Sequence, residues 1–315
     1  MILTVTLNTA LDLTHHVPRL VPHASHRVTG VAERPGGKGL NVARVLAALG
    51  HETVVAGFAG GATGEVLRAL LAAESSAERP VDALVPIAGN TRRTLAIVDG
   101  STGDTTQLNE PGPTVTPSEW ETFLRSYEEL LGGAQAVALC GSLPPGIHVG
   151  AYADLVRRAR TAGVPVLLDT SGEPLLRGIA ARPDVVKPNA DELFQLTGSR
   201  DPATASADAR RKGARAVVAS LGPDGILATT DEGSWQATPP TLIRGNPTGA
   251  GDSAVAGLLS GLVTGLPWPD RLAVAVALSA ATVAAPAAGE FDRATYESLL
   301  PQVKVTSLVR GIARR

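Results

Sequence analysis

The sequence has little of several residue types, and each shortage excludes a class of protein. Its 315 residues include one cysteine, Cys140, which excludes an intrachain disulfide framework and a cysteine zinc cluster. The formal net charge is -2, without the basic excess of nucleic-acid-binding domains, so we expect no nucleic-acid partner. The chain also shows no leader-like segment, because residues 1–7 have neither a basic stretch nor a cleavage site and predict a first β-strand.

Uninterrupted apolar segments and lysines are scarce as well. The longest apolar stretch, residues 272–288, contains Ser279, Thr282 and Pro286, so we expect a buried helix, no membrane span and a cytoplasmic protein. Only four of the 28 basic residues are lysines, and Lys38 and Lys187 lie in turns rich in glycine, proline or asparagine, which invites a functional interpretation. Hydrophobic residues nevertheless make up 44% of the chain, enough for a packed core.

Strand-like and helix-like segments alternate along most of the chain. The strand-like runs are short, apolar and bounded by glycine or proline, and helix-length runs separate most of them. This alternation predicts βαβ units, and therefore an α/β fold in three layers with helices on both faces of a mostly parallel central sheet. The predicted strands are residues 2–6, 53–57, 135–139, 164–169, 184–187 and 215–220, and the predicted helices are residues 39–49, 63–73, 117–131, 149–162, 189–197, 249–264 and 270–285.

Two segments depart from this alternation. Residues 11–34 and 91–109 have no helical periodicity, and the second contains a turn at residues 99–104. We expect them to form a small antiparallel β-sheet that lies over the active site as a lid. Such a sheet exposes one face unless something covers it, so we expect a homodimer through its outer face. No repeat or linker divides the chain, and residues 1–315 are expected to form one domain.

A glycine-rich segment, residues 245–252 (GNPTGAGD), precedes a predicted helix. Free N–H groups at a helix start favour an anion such as a phosphoryl group. A carboxylate at Asp252 would accept a hydroxyl proton there while the amides of residues 249–251 hold the transferring phosphoryl group. The alternative is structural, because Asp is common in the first turn of an ordinary capped helix. The segment alone leaves both interpretations open.

Other candidate ligand-binding residues lie near the ends of predicted strands, where parallel sheets bind ligands. Residues 35–41 (PGGKGLN) are not a Walker A loop, but they place Gly37, Lys38 and Asn41 at a helix start, a set that suits a phosphate or sugar hydroxyls. Asp12 follows the first strand and can accept hydrogen bonds from two hydroxyls. Arg92 precedes Arg93 in a strand, so one of the two can clamp an anion while the other faces solvent. The structural alternatives are an ordinary glycine-rich turn for residues 35–41 and a solvated loop side chain for Asp12.

Two more segments suit a nucleotide. In residues 186–192 (VKPNADE), Asn189 and Glu192 have the spacing of a capping box, which is the structural interpretation. The functional interpretation places the same two residues near the phosphates of a nucleotide and its Mg²⁺, and the two interpretations are compatible. Residues 220–225 (SLGPDG) end another strand with a glycine turn against which a nucleotide can lie.

In this order, the motifs resemble those of the PfkB (ribokinase-like) carbohydrate kinases over essentially the whole chain. Within that family the sequence is most similar to the branch of 1-phosphofructokinase and tagatose-6-phosphate kinase. The matching motifs are residues 6–12 (TLNTALD), 36–41 (GGKGLN), 109–113 (NEPGP), 141–146 (GSLPPG), 187–192 (KPNADE), 220–223 (SLGP) and 249–252 (GAGD).

The resemblance implies a ribokinase-like core and ATP-dependent phosphorylation of a phosphorylated ketohexose, with fructose 1-phosphate as the expected acceptor and Mg²⁺ as cofactor. It implies that Asp252 is the general base and that Gly249, Ala250 and Gly251 form the anion hole. The acceptor would be held by Asp12, Gly37, Lys38, Asn41 and Arg92. The nucleotide would be held by Lys187, Asn189, Glu192, Ser220, Gly222 and Gly225, with Glu192 reaching Mg²⁺ through water.

Two positions depart from the pattern of that branch. Thr9 stands where the branch usually has Pro, and His26 stands where it usually has Asn. Both lie on the acceptor side, so tagatose 6-phosphate or another hexose or hexose phosphate stays an alternative acceptor. A non-catalytic sugar- or nucleotide-binding regulator on the same fold is another alternative, although binding alone needs no base at Asp252. A NAD-binding Rossmann enzyme is disfavoured, because no GxGxxG motif follows the first strand.

Overall fold

The computed structural model describes residues 1–74, 79–243, 245–285 and 287–308. The strands are β1 Ile2–Thr6, β2 Ala10–Val17, β3 Gly30–Gly36, β4 Thr53–Gly60, β5 Val81–Ile87, β6 Arg92–Asp99, β7 Thr105–Asn109, β8 Ala136–Cys140, β9 Val166–Asp169, β10 Val185–Val186, β11 Ala216–Ser220, β12 Ile226–Thr229, β13 Ser234–Thr238 and β14 Lys304–Ser307. The helices are α1 Lys38–Ala48, α2 Gly61–Ala73, α3 Pro117–Leu131, α4 Ala151–Thr161, α5 Gly172–Ala180, α6 Ala190–Thr197, α7 Pro202–Lys212, α8 Ala250–Val263, α9 Trp268–Val283 and α10 Arg293–Leu299.

Ten strands form the main sheet, in the order β14-β13-β12-β11-β10-β9-β8-β1-β4-β5. Strands β11 through β5 in this order are parallel, and β12, β13 and β14 extend one edge with antiparallel pairs. All residues of β1 are buried, because Leu3 and Val5 pack towards α3–α7 and Ile2 packs towards α1, α8 and α9. Strands covered on both faces are typical of parallel sheets. The predicted three-layer fold is confirmed.

Several elements were not among those predicted from the sequence. They are the edge strand β5, the three strands β12, β13 and β14 towards the other edge, and the helices α5, α7 and α10. Strands β13 and β14 are mostly half-buried or exposed, so they lack the continuous apolar run that marks the central strands. Helix α9 confirms the predicted buried helix, and Pro286 of the same apolar stretch lies outside the described residues. None of the described helices is both long and apolar enough to cross a bilayer.

The small sheet has the order β3-β2-β6-β7 and is formed by the two segments predicted for it. Its outer pairs are antiparallel, as expected, and the predicted turn closes with a hydrogen bond of 2.9 Å from the Asp99 amide to the Asp104 carbonyl. The central pair, β2 and β6, is parallel instead. The reason is topological, because β2 follows β1 and β6 follows β5, and β1 and β5 run in the same direction in the main sheet.

The starts of α1 and α8 and the thiol of Cys140 lie at the carboxyl edge of the main sheet. Helix α1 starts directly after β3, and α8 packs on α9 so closely that a Cβ atom on Gly257 would lie 2.7 Å from the Cα atom of Ala275. Strand β8 ends at Cys140, which is fully buried and whose carbonyl accepts a hydrogen bond of 2.9 Å from the Tyr152 hydroxyl. Burial raises the pKa of the Cys140 thiol well above its ordinary value.

Candidate active site

A buried acid lies between two lysines at the carboxyl edge of the sheet. Asp169 ends β9 and is 1% exposed. One of its carboxylate oxygens lies 3.3 Å from Nζ of Lys38, and the other lies 3.4 Å from Nζ of Lys187. Burial alone would lower the pKa of Lys38, but the neighbouring carboxylates, Asp169 first and then Asp252, raise it above its ordinary value. The structure therefore joins the lysine predicted for the acceptor to the lysine predicted for the nucleotide.

Asp252 lies in the first turn of α8 without capping it. The N-cap residue is Gly249, whose φ of 85° is left-handed, and no side chain caps this helix. The Asp252 side chain is buried, and its Oδ2 accepts a hydrogen bond of 2.8 Å from Nδ2 of Asn41 in α1. The structural interpretation of Asp252 as an ordinary helix cap is therefore wrong. Its carboxylate faces the same edge of the sheet as Lys38 and Asp169.

Burial raises the pKa of Asp252 to about 6. Lys38 opposes this shift, the Asp169 carboxylate adds to it, and the hydrogen bond from Asn41 opposes it again. A buried carboxyl with a pKa near the working pH is ionised at neutral pH and is still basic enough to accept a proton. These properties suit a general base.

The start of α8 is arranged as an anion site. The amides of Gly251 and Asp252 have no backbone partner within the described part of the chain, and the positive end of the helix dipole lies there. The anion-hole prediction was wrong for the Ala250 amide, which donates to the Pro247 carbonyl at 3.1 Å. A Cβ atom on Gly251 would lie 3.6 Å from Nζ of Lys187, so a cation flanks these amides. The set combines free N–H donors and a candidate base in the first turn of α8 with the ammonium of Lys187 beside them.

Asp12 and Gly37, both predicted to bind the acceptor, lie in β2 of the small sheet and at the start of α1. Asp12 accepts a hydrogen bond from the Thr94 hydroxyl, and burial raises its pKa although the nearby Arg92 lowers it. Gly37 is the N-cap of α1 with a φ of 117°, and a Cβ atom there would lie 2.7 Å from Cγ2 of Thr6. Only glycine fits this turn without strain.

Arg92 is half-buried, while Arg93 is exposed and pairs with Glu110, which confirms the expected division between the two. The Arg92 guanidinium donates to the carbonyl of Asn8 at 3.2 Å and to that of Glu110 at 3.3 Å. Because a guanidinium has five N–H donors, these two bonds anchor the group and leave donors for an anion.

A cavity of about 710 Å³ lies on the other side of α8. Four of the six residues predicted for the nucleotide line it, namely Asn189, Ser220, Gly222 and Gly225, together with Ala250 and Gly251 of the anion site. Lys187 and Glu192 are not part of its lining. Asn189 and Glu192 form the predicted capping box, with bonds of 2.8 and 2.9 Å in the two directions.

The sequence did not reveal all of this cavity, nor Asp169. One wall is apolar and consists of Ala254, Leu242, Ile243, Val276, Ala280 and Val283. Helix α9 was predicted to be a buried helix, and its small side chains are what leave room for a ligand. The signal for Asp169 was its place as the last residue of a predicted strand, where parallel sheets bind ligands.

The two unusual positions of the acceptor side bond locally. The Thr9 hydroxyl donates to the carbonyl of Phe58, and Thr9 is buried. The Nε2 atom of His26 accepts the Val21 amide at 2.8 Å within the connection between β2 and β3. Both side chains are engaged with backbone of the chain itself.

The residues fit a nucleotide better than a fully protein-bound metal. The cavity offers an apolar wall for a base and leads to the free amides at the start of α8. Within the described ranges, no group of three or more His, Cys, Asp or Glu side chains could hold a metal ion. Mg²⁺ usually takes one or two carboxylates and completes its shell with phosphate oxygens and water, so a nucleotide-dependent Mg²⁺ site is compatible with this set.

Comparison with known proteins agrees with this geometry. Residues 4–294 match the profile of the pfkB family of carbohydrate kinases. A 1-phosphofructokinase of Rhodobacter capsulatus is 40% identical over 287 residues, which are 89% of this chain and 90% of that protein.

The chain is also similar in structure to solved phosphofructokinases. Escherichia coli phosphofructokinase-2, in a tetrameric inhibited form, is 30% identical with a TM-score of 0.86 over 96% of this chain and 98% of the other. The same protein in complex with fructose-6-phosphate matches with a TM-score of 0.85. A Thermotoga maritima protein described as a possible 1-phosphofructokinase is 28% identical, with a TM-score of 0.89 over 98% of this chain and 100% of the other.

Proposed function

This chain belongs to the pfkB family of carbohydrate kinases, and we propose that it phosphorylates fructose 1-phosphate with ATP to give fructose 1,6-bisphosphate. The observation that carries the catalytic part is the buried Asp252 carboxylate, which is fixed by Asn41 beside the free amides of α8. The acceptor is proposed from the Rhodobacter capsulatus relative.

In the proposed reaction, the oxygen of the free primary hydroxyl of the acceptor attacks the γ-phosphorus of ATP. The bond from phosphorus to the oxygen of the leaving ADP breaks, and the hydroxyl proton passes to Asp252. The amides of Gly249, Gly251 and Asp252 and the ammonium of Lys187 stabilise charge on the transferring group. The Ala250 amide does not take part, because it already donates to the Pro247 carbonyl. Mg²⁺, when bound, would neutralise charge on the nucleotide phosphates, and Glu192 would hold it through water.

The acceptor would be bound by charged and polar groups on the small-sheet side of Asp252. Asp12 would accept hydrogen bonds from sugar hydroxyls, and the positive groups of Lys38 and Arg92 would bind the phosphate. Asn41 would contact the sugar while it donates to Asp252, so binding and proton transfer share one side chain. The turn at Gly37 brings the backbone close to the same place.

The small sheet also supports a proposed homodimer. Its outer face carries exposed apolar side chains among polar ones, and Val31 and Leu108 there are 61% and 56% exposed. Exposed apolar side chains on one sheet face favour association with a second copy. In this proposal residues 1–315 act as one cytoplasmic kinase domain, and light scattering that gave only a monomer at assay concentrations would contradict the dimer.

Fructose 6-phosphate is the second acceptor that an observation favours, because the E. coli structure was solved with it. Tagatose 6-phosphate is a third, and a non-catalytic regulator is the alternative without chemistry. The deciding experiment couples ADP release to a spectroscopic signal and compares fructose 1-phosphate, fructose 6-phosphate, tagatose 6-phosphate and unphosphorylated hexoses.

We expect the highest kcat/KM with fructose 1-phosphate. A higher value with either of the other sugar phosphates would move the proposal to that acceptor. No ADP release with any sugar would favour the regulator.

A further inference from the structure

Four charged side chains form a chain of ion pairs beside the acceptor side of the site. Arg34 of β3 contacts the carboxylate of Glu290, which also lies 3.5 Å from Nη2 of Arg44 in α1. The Nε atom of Arg44 lies 2.7 Å from Glu74 at the end of α2. Only 12% of the Arg44 side chain is exposed, so its carboxylate partners compensate a charge that is largely removed from water.

The backbone before Glu290 packs against the group that orients the proposed base. A Cβ atom on Gly289 would lie 3.0 Å from Oδ1 of Asn41 and 2.9 Å from Nη1 of Arg44. Asn41 is the donor to Asp252, and it lies one turn before Arg44 on α1. The position of this segment therefore limits where the Asn41 amide can lie.

The same segment also contacts the anion site. A Cβ atom on Gly249 would lie 2.8 Å from that of Ala288, and the Ala288 carbonyl accepts a hydrogen bond of 3.3 Å from Arg44. Residues 288–290 thus contact α1 and the start of α8 at once.

The other end of the ion-pair chain lies on the small sheet. Arg34 pairs in register with Asp12, so the two side chains share one face of that sheet. Among the ion pairs of the described residues, Arg34–Glu290 is the one that joins a strand of the small sheet to the main body. A shift of β3, the edge strand whose Arg34 lies beside Asp12 of β2, therefore acts on Glu290.

We propose that Glu290 is a positioning residue, which couples the small sheet through Arg34 to the Asn41–Asp252 pair through Arg44 and Gly289. An acceptor held by Asp12 is thereby aligned with the base. This inference rests on the proposed role of Asp252, which the Asp252→Asn variant tests separately.

The test is steady-state kinetics of Glu290→Gln with the acceptor that the wild type phosphorylates best. We expect kcat/KM for the acceptor to fall about 10-fold, with the KM for ATP within about twofold of wild type. The hydrogen bond from Asn41 lowers the pKa of Asp252, so loosening it should move the acid limb of kcat to higher pH. A purely structural role would not move that limb.

Arg34→Gln removes the other partner of the same ion pair, the one on the small sheet. It serves as the test if Glu290→Gln does not fold. If the two residues act through each other, the double variant should be no worse than either single one. The matched control is Glu128→Gln, which neutralises the acid of the exposed ion pair with Arg158 between α3 and α4, away from the proposed site and dimer face, and which should behave as wild type.

Two outcomes would overturn the inference. One is an unchanged acceptor kcat/KM and acid limb in both Glu290→Gln and Arg34→Gln. The other is a loss that the Glu128 control shares in proportion to a lowered melting temperature.

Discussion

Helices α6 and α8 both carry an acid at the third helical position, yet the two acids are used differently. The Glu192 carboxylate of α6 accepts a hydrogen bond from the backbone amide of the N-cap residue Asn189. The Asn189 side-chain oxygen in turn accepts one from the backbone amide of Glu192. At the start of α8 the N-cap is Gly249, which has no side chain, and Asp252 bonds to Asn41 of another helix. The polar N-cap of α6 thus engages its acid in a capping box, whereas the glycine N-cap of α8 leaves Asp252 to bond to another helix.

The largest expected effect comes from neutralising the acid of α8. Asp252→Asn should lower kcat at least ~100-fold, because it removes the proton acceptor while the donor from Asn41 can still bond to the amide oxygen. ATP affinity, measured by calorimetry, should stay within a few-fold. If the variant kept a near-wild-type kcat, Asp252 would not be the general base.

The pH dependence of the wild type sharpens the same contrast. Because burial raises the pKa of Asp252 to about 6, kcat should fall about tenfold per pH unit well below that value as the base becomes protonated. The measurement is kcat at saturating substrates between pH 5 and 8. A profile flat down to pH 5 would contradict an essential base with this pKa.

Stability should change in the opposite direction to activity. The pKa of Asp252 in the folded chain, about 6, lies above its ordinary 3.8, so its stabilising contribution is complete below the ordinary value and is lost as pH rises through 6. At pH 8, Asp252→Asn should therefore unfold with a free energy up to about 3 kcal/mol higher than wild type. The gain should vanish in acid. Urea titrations at the two pH values measure it, and a destabilised variant at pH 8 would contradict the burial argument.

The smallest effect is expected at α6. Glu192→Ala removes one arm of a capping box and should cost about 1 kcal/mol of stability. If Glu192 also holds Mg²⁺ through water, the Mg²⁺ concentration for half-maximal rate should rise as well.

Helix α3 supplies the matched control, because Glu119 forms the same capping box with Thr116. Glu119 also accepts a hydrogen bond of 2.7 Å from the Ala88 amide, so Glu119→Ala should lose at least as much stability, without a change in Mg²⁺ dependence. Equal Mg²⁺ behaviour in the two variants would leave Glu192 with a structural role alone.

Local sequence patterns predicted the parts of the site that lie within one motif. Lys38 and Asp252 could be found because glycine turns, a following helix and scarce lysines mark them. Asp169 could not be assigned a role, because its partners Lys38 and Lys187 lie far away in the chain and meet it only in the folded sheet. The apolar wall of the cavity was hidden in the same way, because a helix of small residues is read as core.

The fold shows the same division between local and distant information. The central strands were predicted from their continuous apolar runs, whereas the half-exposed β13 and β14 gave no such signal. The parallel pairing of β2 and β6 depends on the direction of β1 and β5, which is a property of the whole topology.

The single thiol of the chain gives an experimental handle on this edge of the sheet. Cys140 is fully buried at the end of β8, and burial disfavours its thiolate, so a thiol reagent can modify only molecules in which this edge has opened. The rate of labelling under native conditions therefore reports how often the sheet edge that carries the candidate site opens. A substrate that holds this edge closed would register as slower labelling, which makes binding measurable without turnover and without any engineered probe.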